Sequence, residues 1–319
     1  MPPTEQPLII RSSRVVTPRG TGPAAVVIAD GTITEVADHD AYTSGIDLGD
    51  VALLPGPVDP RAHAGEGFSV SLCDAGVPGV PVLDKAGLRA AMTEIAGTGL
   101  PMLVHAEDPG EVAEPRGGSY DAFVASRPTV AERRGIETVI SAAAATGARA
   151  HIAPLAAADC AALIGAAKAA GIGLTAETCP HYLCFAAEEI TGDGTEFRCR
   201  PPIRYAANRE ALWRALAEGV IDCVVPGQLT PPEIALAAVW TVARKRGHTL
   251  ADVARWMSAA PAELAGLAAK GAIARGRDAD LVAFDPDAVC ATSYLGRTLT
   301  GQVVRTWQPA RPGRPAPGA

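Results

Sequence analysis

Short apolar runs broken by polar residues open the chain. Residues 8–16 form the first run, 24–28 a second and 32–36 a third, with Asp30-Gly31 as a turn between the last two. This pattern predicts an antiparallel hairpin unit. Residues 51–54 are apolar throughout and stop at Pro55-Gly56, which reads as a buried strand. The period then changes. Strand-like runs at 68–72, 102–105, 148–152, 172–176 and 222–225 alternate with Ala-rich helical runs at 85–96, 130–145, 157–170 and 208–217. Two more helical runs follow, at 232–245 and 250–257. Such alternation predicts an α/β fold with a parallel sheet covered by helices. Counting 51–54, six strands are of this kind, and a complete eight-fold barrel needs about 250 residues. The expectation is therefore an incomplete TIM-like (β/α) barrel over residues 55–275. Residues 276–308 return to short strands at 280–284 and 301–304. They are expected to join residues 1–54 in a small β-sandwich domain. The Pro-rich tail, 309–319, reads as disordered.

Composition narrows the classes of function. The 319 residues carry a formal net charge of −7, with 48% hydrophobic and 4% aromatic content. No basic stripe points to nucleic acid, and no apolar run approaches the ~20 residues of a membrane span. Neither partner is expected. The N-terminus lacks a basic leader with an apolar core, so no secretion signal is read. Seven cysteines, with no C-x-x-C pair, fit a reduced, cytoplasmic setting better than a disulfide framework.

The polar residues that could carry chemistry sit at the C-terminal ends of the strands, where a parallel barrel places its site. Asp59 and His63 follow the 51–54 run, and His105, Glu107 and Asp108 follow the 102–105 run. His151 ends the next strand, and Glu177, Cys179 and His181 follow the one after. Any single histidine is most simply a buried, hydrogen-bonded residue. Three at equivalent strand ends can also share one site. Cys179 and Cys199 read as small packed residues, and His39 and His248 as surface-turn residues.

Longer motifs add a resemblance. LLPGPVDPRAHAGEG, PMLVHAEDP, HIAPLAAADCAALIGAAKAAGIGLTAETCPHYL, CRPPIRYAANREALWRALAEGVIDCVV and GAIARGRDADLVAFDPDA together resemble the cyclic amidohydrolases, and allantoinases most closely. The resemblance spans most of the chain; TAETCPHYL with PPIR and NREALW is its specific part. It implies ring opening of a cyclic ureide or amide by two divalent metals that share a hydroxide. The implied ligands are two His of the opening motif, a carbamylated Lys, two later strand-end His and a final Asp that also takes the proton.

Against that requirement, His63, His105 and His151 are in place. Arg61 stands at the first opening His, Ser69 at the bridging Lys, and Gly227 with Gln228 at the last Asp and the His after it. A guanidinium has no lone pair for a cation, and serine forms no carbamate. Only five residues separate His63 from Ser69, where the family has two strand–helix units of roughly thirty residues each. Barrel units two and three are therefore read as missing. An open sheet edge is a pairing liability, so a homo-oligomer or a partner subunit is expected.

Two functions follow. One is a homologue with a degraded metal centre that acts as a scaffold or binding protein. The other is an active enzyme opening or closing a cyclic amide or ureide ring with a metal-free site, or with at most one zinc on His63, His105 and His151. In the second, Glu107, Asp108 or Glu177 serves as base, and Arg61 and Arg204 bind the small-molecule substrate. Plainer roles compete. Arg61 would pair with Asp59 or Glu66, Glu177 would hydrogen-bond locally, His181 would be structural, and Tyr182, Pro201, Pro202 and Arg204 would shape loops.

Overall fold

The computed structural model describes residues 6–61 and 69–309. His63, Glu66 and the tail from residue 310 lie outside them. The strands are β1 Leu8–Thr17, β2 Gly20–Ala29, β3 Thr32–Ala37, β4 Ile46–Asp47, β5 Ala52–Pro55, β6 Ser69–Ser71, β7 Met102–His105, β8 Ala150–Ile152, β9 Leu174–Thr178, β10 Cys223–Val224, β11 Leu281–Val289 and β12 Thr300–Trp307. Backbone contacts divide the chain into residues 1–58 with 236–319, and residues 59–235. The segment 236–275, expected with the barrel, thus groups with the chain ends.

In the first unit seven strands form one sheet in the order β12-β11-β5-β1-β2-β3, with β4 also beside β1. The predicted hairpin is β2–β3, and Asp30 and Gly31 both have positive φ, 49° and 72°, as a tight hairpin turn requires. Alternating residues Ile10, Val26, Ile28, Ile33, Leu53 and Leu281 meet in one core. Strand β5 is the first correction. The strand count takes 51–54 as a sixth barrel-type strand although the domain boundary leaves them with residues 1–54, and β5 pairs antiparallel with β11 and parallel with β1. All four of its residues are buried. A short run that is apolar throughout suits the interior of either sheet, so its pattern does not choose between them. The pairing also joins all seven strands continuously, and does not by itself separate the two layers expected of a sandwich.

The second unit holds a five-stranded parallel sheet in strict chain order, β6-β7-β8-β9-β10. Its connections pass through the helices Lys85–Ile95, Thr129–Thr146, Ala161–Ala169 and Ala206–Ala217. Crossover helices are what parallel neighbours demand. The α/β class holds, with five such strands among the described residues where six were expected. The Thr129–Thr146 helix buries Ala131, Gly135, Ile136, Val139, Ala142 and Ala143 at helical spacing and ends on Gly147 in the left-handed region. A Cβ on Gly135 would lie 2.3 Å from the carbonyl oxygen of Ala106. Only glycine lets this helix rest directly on the backbone that leads from His105 to Glu107.

No helix among the described residues is long and apolar enough to cross a membrane. All seven cysteines are free thiols; Cys73, Cys160, Cys179, Cys184, Cys199 and Cys223 are buried, and Cys290 is partly exposed.

Candidate functional site

Parallel register brings the chemistry to one end of the five-stranded sheet. Ser71 lies opposite His105, Leu103 opposite His151, His151 opposite Thr175, and Glu177 opposite Cys223. Two buried clusters result. In the first, Nε2 of His105 lies 2.8 Å from Oε2 of Glu107. Arg127 donates to that same oxygen at 2.6 Å through Nη2 and to Oε1 at 3.1 Å through Nε. The Arg127 Nη2 is also 3.4 Å from the Cys73 sulfur. Burial raises the Glu107 pKa, but hydrogen bonds and charge from His105 and Arg127 outweigh it, and the carboxyl is held below its ordinary range. Burial pushes the Cys73 thiol up to about 11.

The second cluster repeats the plan. His151 sets Nδ1 2.8 Å from the Thr175 hydroxyl and Nε2 3.1 Å from Oε2 of Glu177. Arg61 donates through Nη2 to Oε1 of Glu177 and through Nη1 to the Pro226 carbonyl at 3.2 Å. Of the two acids expected beside Arg61, Glu66 lies outside the described residues. The other, Asp59, accepts the backbone N–H of Arg61. Glu177 likewise reaches across strands rather than bonding locally, because its carboxylate is fully buried and needs a partner charge. Burial, followed by the field of Arg61, pushes His151 down to about 3, so its ring is neutral.

A cavity of about 110 Å³ opens over these strand ends. Arg61, Ser69, His105 and Gly227 all line it, so three of the positions read as lost ligands and one retained histidine share a single space. A Cβ on Gly227 would sit 2.6 Å from the sulfur of Cys179 and 2.9 Å from Cε1 of His181. The volume that a side chain at this position would need is already filled. His181 is buried beside Thr230, at 3.3 Å, and against the Tyr182 ring, with centroids 4.1 Å apart. Burial and Arg61 push it down to about 3. Gln228 donates to the Ala75 carbonyl at 2.7 Å and accepts the N–H of Arg200 at 3.1 Å.

Two candidates lie elsewhere. Asp108 caps a short turn by accepting the N–H of Gly110 at 2.8 Å and faces a separate cleft with Lys85. Arg204 is buried against Glu132, 2.5 Å from its Oε1, and donates to the Arg127 carbonyl. The guanidinium is almost fully enclosed by these partners. Sequence reasoning missed Arg127 and Cys223. Arg127 precedes Pro128 in a loop, and no periodicity signals that it returns to Glu107.

The donors test poorly against a pair of divalent ions. Cys73, His105 and Glu107 bring three ligand atoms within 4.8 Å of one another, as do His151, Glu177 and Cys223. Each carboxylate, however, already carries a guanidinium, and a fixed cation beside the donors opposes a metal ion. Burial also raises both thiols, so neither is a ready thiolate. His63 lies outside the described residues.

Known proteins share this chain's sequence pattern and fold. The model of the Amidohydrolase family matches residues 58–308. The allantoinase of Streptomyces avermitilis is 37% identical, over 94% of this chain and 94% of its own, in an alignment of 416 positions that a 319-residue chain cannot fill. The Arabidopsis thaliana allantoinase is 35% identical over 76% of this chain, which spans 57% of that protein's length. Among solved structures, the L-hydantoinase (dihydropyrimidinase) of Arthrobacter aurescens superposes with a TM-score of 0.84 at 20% identity over 95% of each chain. A D-hydantoinase from Thermus sp. gives 0.82 at 18% identity, over 95% of this chain and 94% of that one. The chain therefore belongs to the amidohydrolase family, within the cyclic amidohydrolase superfamily.

Proposed function

We propose that this chain is an allantoinase-like amidohydrolase homologue that does not run two-metal hydrolysis and acts instead as a small-molecule binding protein or scaffold. One observation carries the reading: the Arg61 guanidinium lies on Glu177, beside His151, at the position where the family resemblance places a metal-ligating histidine. A fixed organic cation there does for the buried carboxylate what a metal ion would, without a Lewis-acid centre or an activated water. The filled volume at Gly227 supports the same reading, since it excludes the carboxylate base. The five-stranded sheet is what remains of a longer barrel without its second and third units, and the unfilled positions of the allantoinase alignment support that loss. Seven free thiols fit work in a reducing compartment such as the cytoplasm.

Elemental analysis of the purified chain tests this directly. Less than a tenth of an equivalent of zinc, manganese or iron is expected. Chelation should leave the melting temperature unchanged, and allantoin, dihydroorotate and hydantoin should not turn over. Stoichiometric metal that is lost in His105→Ala would overturn the reading in favour of a residual metalloenzyme.

A further inference from the structure

We propose that the cavity over the strand ends takes a small, uncharged, largely apolar carbonyl compound, held through its oxygen by Arg61 and Ser69, rather than a cyclic ureide or a carboxylate. This rests on the metal-free reading above and gives that site a ligand class.

Size comes first. The space is about 110 Å³, somewhat below the roughly 150 Å³ of an apolar cavity that accepts one benzene ring. A single small ring is the scale that fits.

The lining decides polarity. Val70, Val77, Val80, Leu103 and Pro154 form an apolar wall. Of the hydrogen-bonding groups in the lining, His105, His181, Tyr182, Arg200 and Gln228 already bond to Glu107, Thr230, Pro201, Asp74 and Ala75, which leaves Arg61 and Ser69 to meet a ligand. A guanidinium has five N–H donors. Among the described residues, Arg61 directs Nη2 to Glu177 and Nη1 to the Pro226 carbonyl, leaving donor capacity for an acceptor in the cavity. A ring carbonyl suits that arrangement, with its oxygen on the donors and its carbons on the valines. A hydantoin or allantoin ring presents N–H and C=O groups around much of its edge. Those turned to the apolar wall would leave water without replacement, at a cost of roughly tenfold in affinity for each.

Charge excludes the carboxylate. Each arginine near the cavity already has an acid: Arg61 has Glu177, Arg127 has Glu107, and Arg200 lies 2.5 Å from Asp74. His181 is held neutral by burial. An anionic ligand would add an uncompensated charge near the two buried carboxylates, Glu177 and Glu107, with the third acid, Asp74, exposed and screened by solvent, whereas a neutral carbonyl accepts the same hydrogen bonds and adds none.

Titration calorimetry on the chelated full-length chain tests the proposal. The probes are piperidin-2-one and cyclohexanone, set against hydantoin, allantoin and cyclohexanecarboxylate. The two carbonyl probes should bind at least tenfold more tightly than the other three. Val77→Trp, which fills the cavity from a partly exposed wall position, should weaken them tenfold or more. Arg61→Lys keeps a cation for Glu177 but removes the fork of donors, and should weaken them similarly. Tighter binding of the ureides or the carboxylate, no binding of either carbonyl probe, or carbonyl binding indifferent to both substitutions would overturn the ligand class. Those results leave the metal-free reading standing. Stoichiometric metal found before chelation would sink that reading itself, so the two failures are distinguishable.

Discussion

Glu107 shows what a single charge requires once it is buried. Its side chain has no solvent exposure, and Arg127 and His105 between them satisfy both oxygens. Removing one partner of such a pair leaves an uncompensated charge and costs about 3–5 kcal/mol. Arg127→Met should lower stability by that amount in urea denaturation at pH 7, and the added substitution Glu107→Leu should recover much of it. The pH dependence has a definite sign. The folded pKa of Glu107 is depressed, so its contribution is fully present above the unfolded value near ~4.3 and is lost as pH falls through the lower folded value. Glu107→Gln should flatten the acid limb of the stability curve, and an unchanged limb would show that Glu107 is not a source of it. At this scale the sequence is partly legible. His105, His151 and Glu177 stand out as polar residues closing apolar strands; His151 and Glu177 meet Arg61 in one cluster, and His105 belongs to the other, with Glu107 and Arg127. Arg204 and Asp108 look equally functional in sequence, yet one is buried against Glu132 and the other caps a turn. Nothing in spacing separates these fates, because each is set by a partner distant in the chain or by a local backbone geometry.

At the scale of elements, the Thr129–Thr146 helix positions the first cluster. Helix propensity alone predicts that Gly135→Ala stabilises the protein by up to ~1 kcal/mol. The contact with Ala106 reverses the sign: the new methyl must push the helix away from the strand end that leads into Glu107. A loss of about 1–3 kcal/mol is expected from such overpacking, with perturbed NMR signals at His105. A stabilised variant with an unchanged spectrum would show that the contact is looser than described. The four crossover helices and β7 to β10 lie within a few residues of where periodicity and turn residues put them, while the helix Tyr120–Ser126 is not read from the sequence. Strand β5 is misread because four buried apolar residues carry no sign of which sheet receives them. Its place depends on Leu281–Phe284, more than 220 positions away in sequence, which pairs with Ala52–Pro55.

For the molecule as a whole, the parallel sheet raises the question of association. Among the described residues, β10 pairs with β9 on one side, whereas β6 pairs with β7 on one side and is bridged at Ser71 to Val82 on the other. Exposed edges invite pairing with another chain. The proposal of self-association predicts a native mass of at least twice 32.6 kDa by light scattering. A monomer at micromolar concentration would count against it.

The distribution of sulfur supplies a clock for opening. Six thiols are enclosed and Cys290 is accessible. A small alkylating reagent added to the native protein should therefore modify one site quickly and the other six only when their surroundings part. Cys73 and Cys223 belong to the two guanidinium-bearing clusters, one toward the β6 end of the strand order and one toward the β10 end. Mass spectrometry of each peptide over time would read whether those two ends breathe together or separately. Occupation of the cavity should slow labelling at Cys179, which lies in its wall, more than at Cys160, which does not.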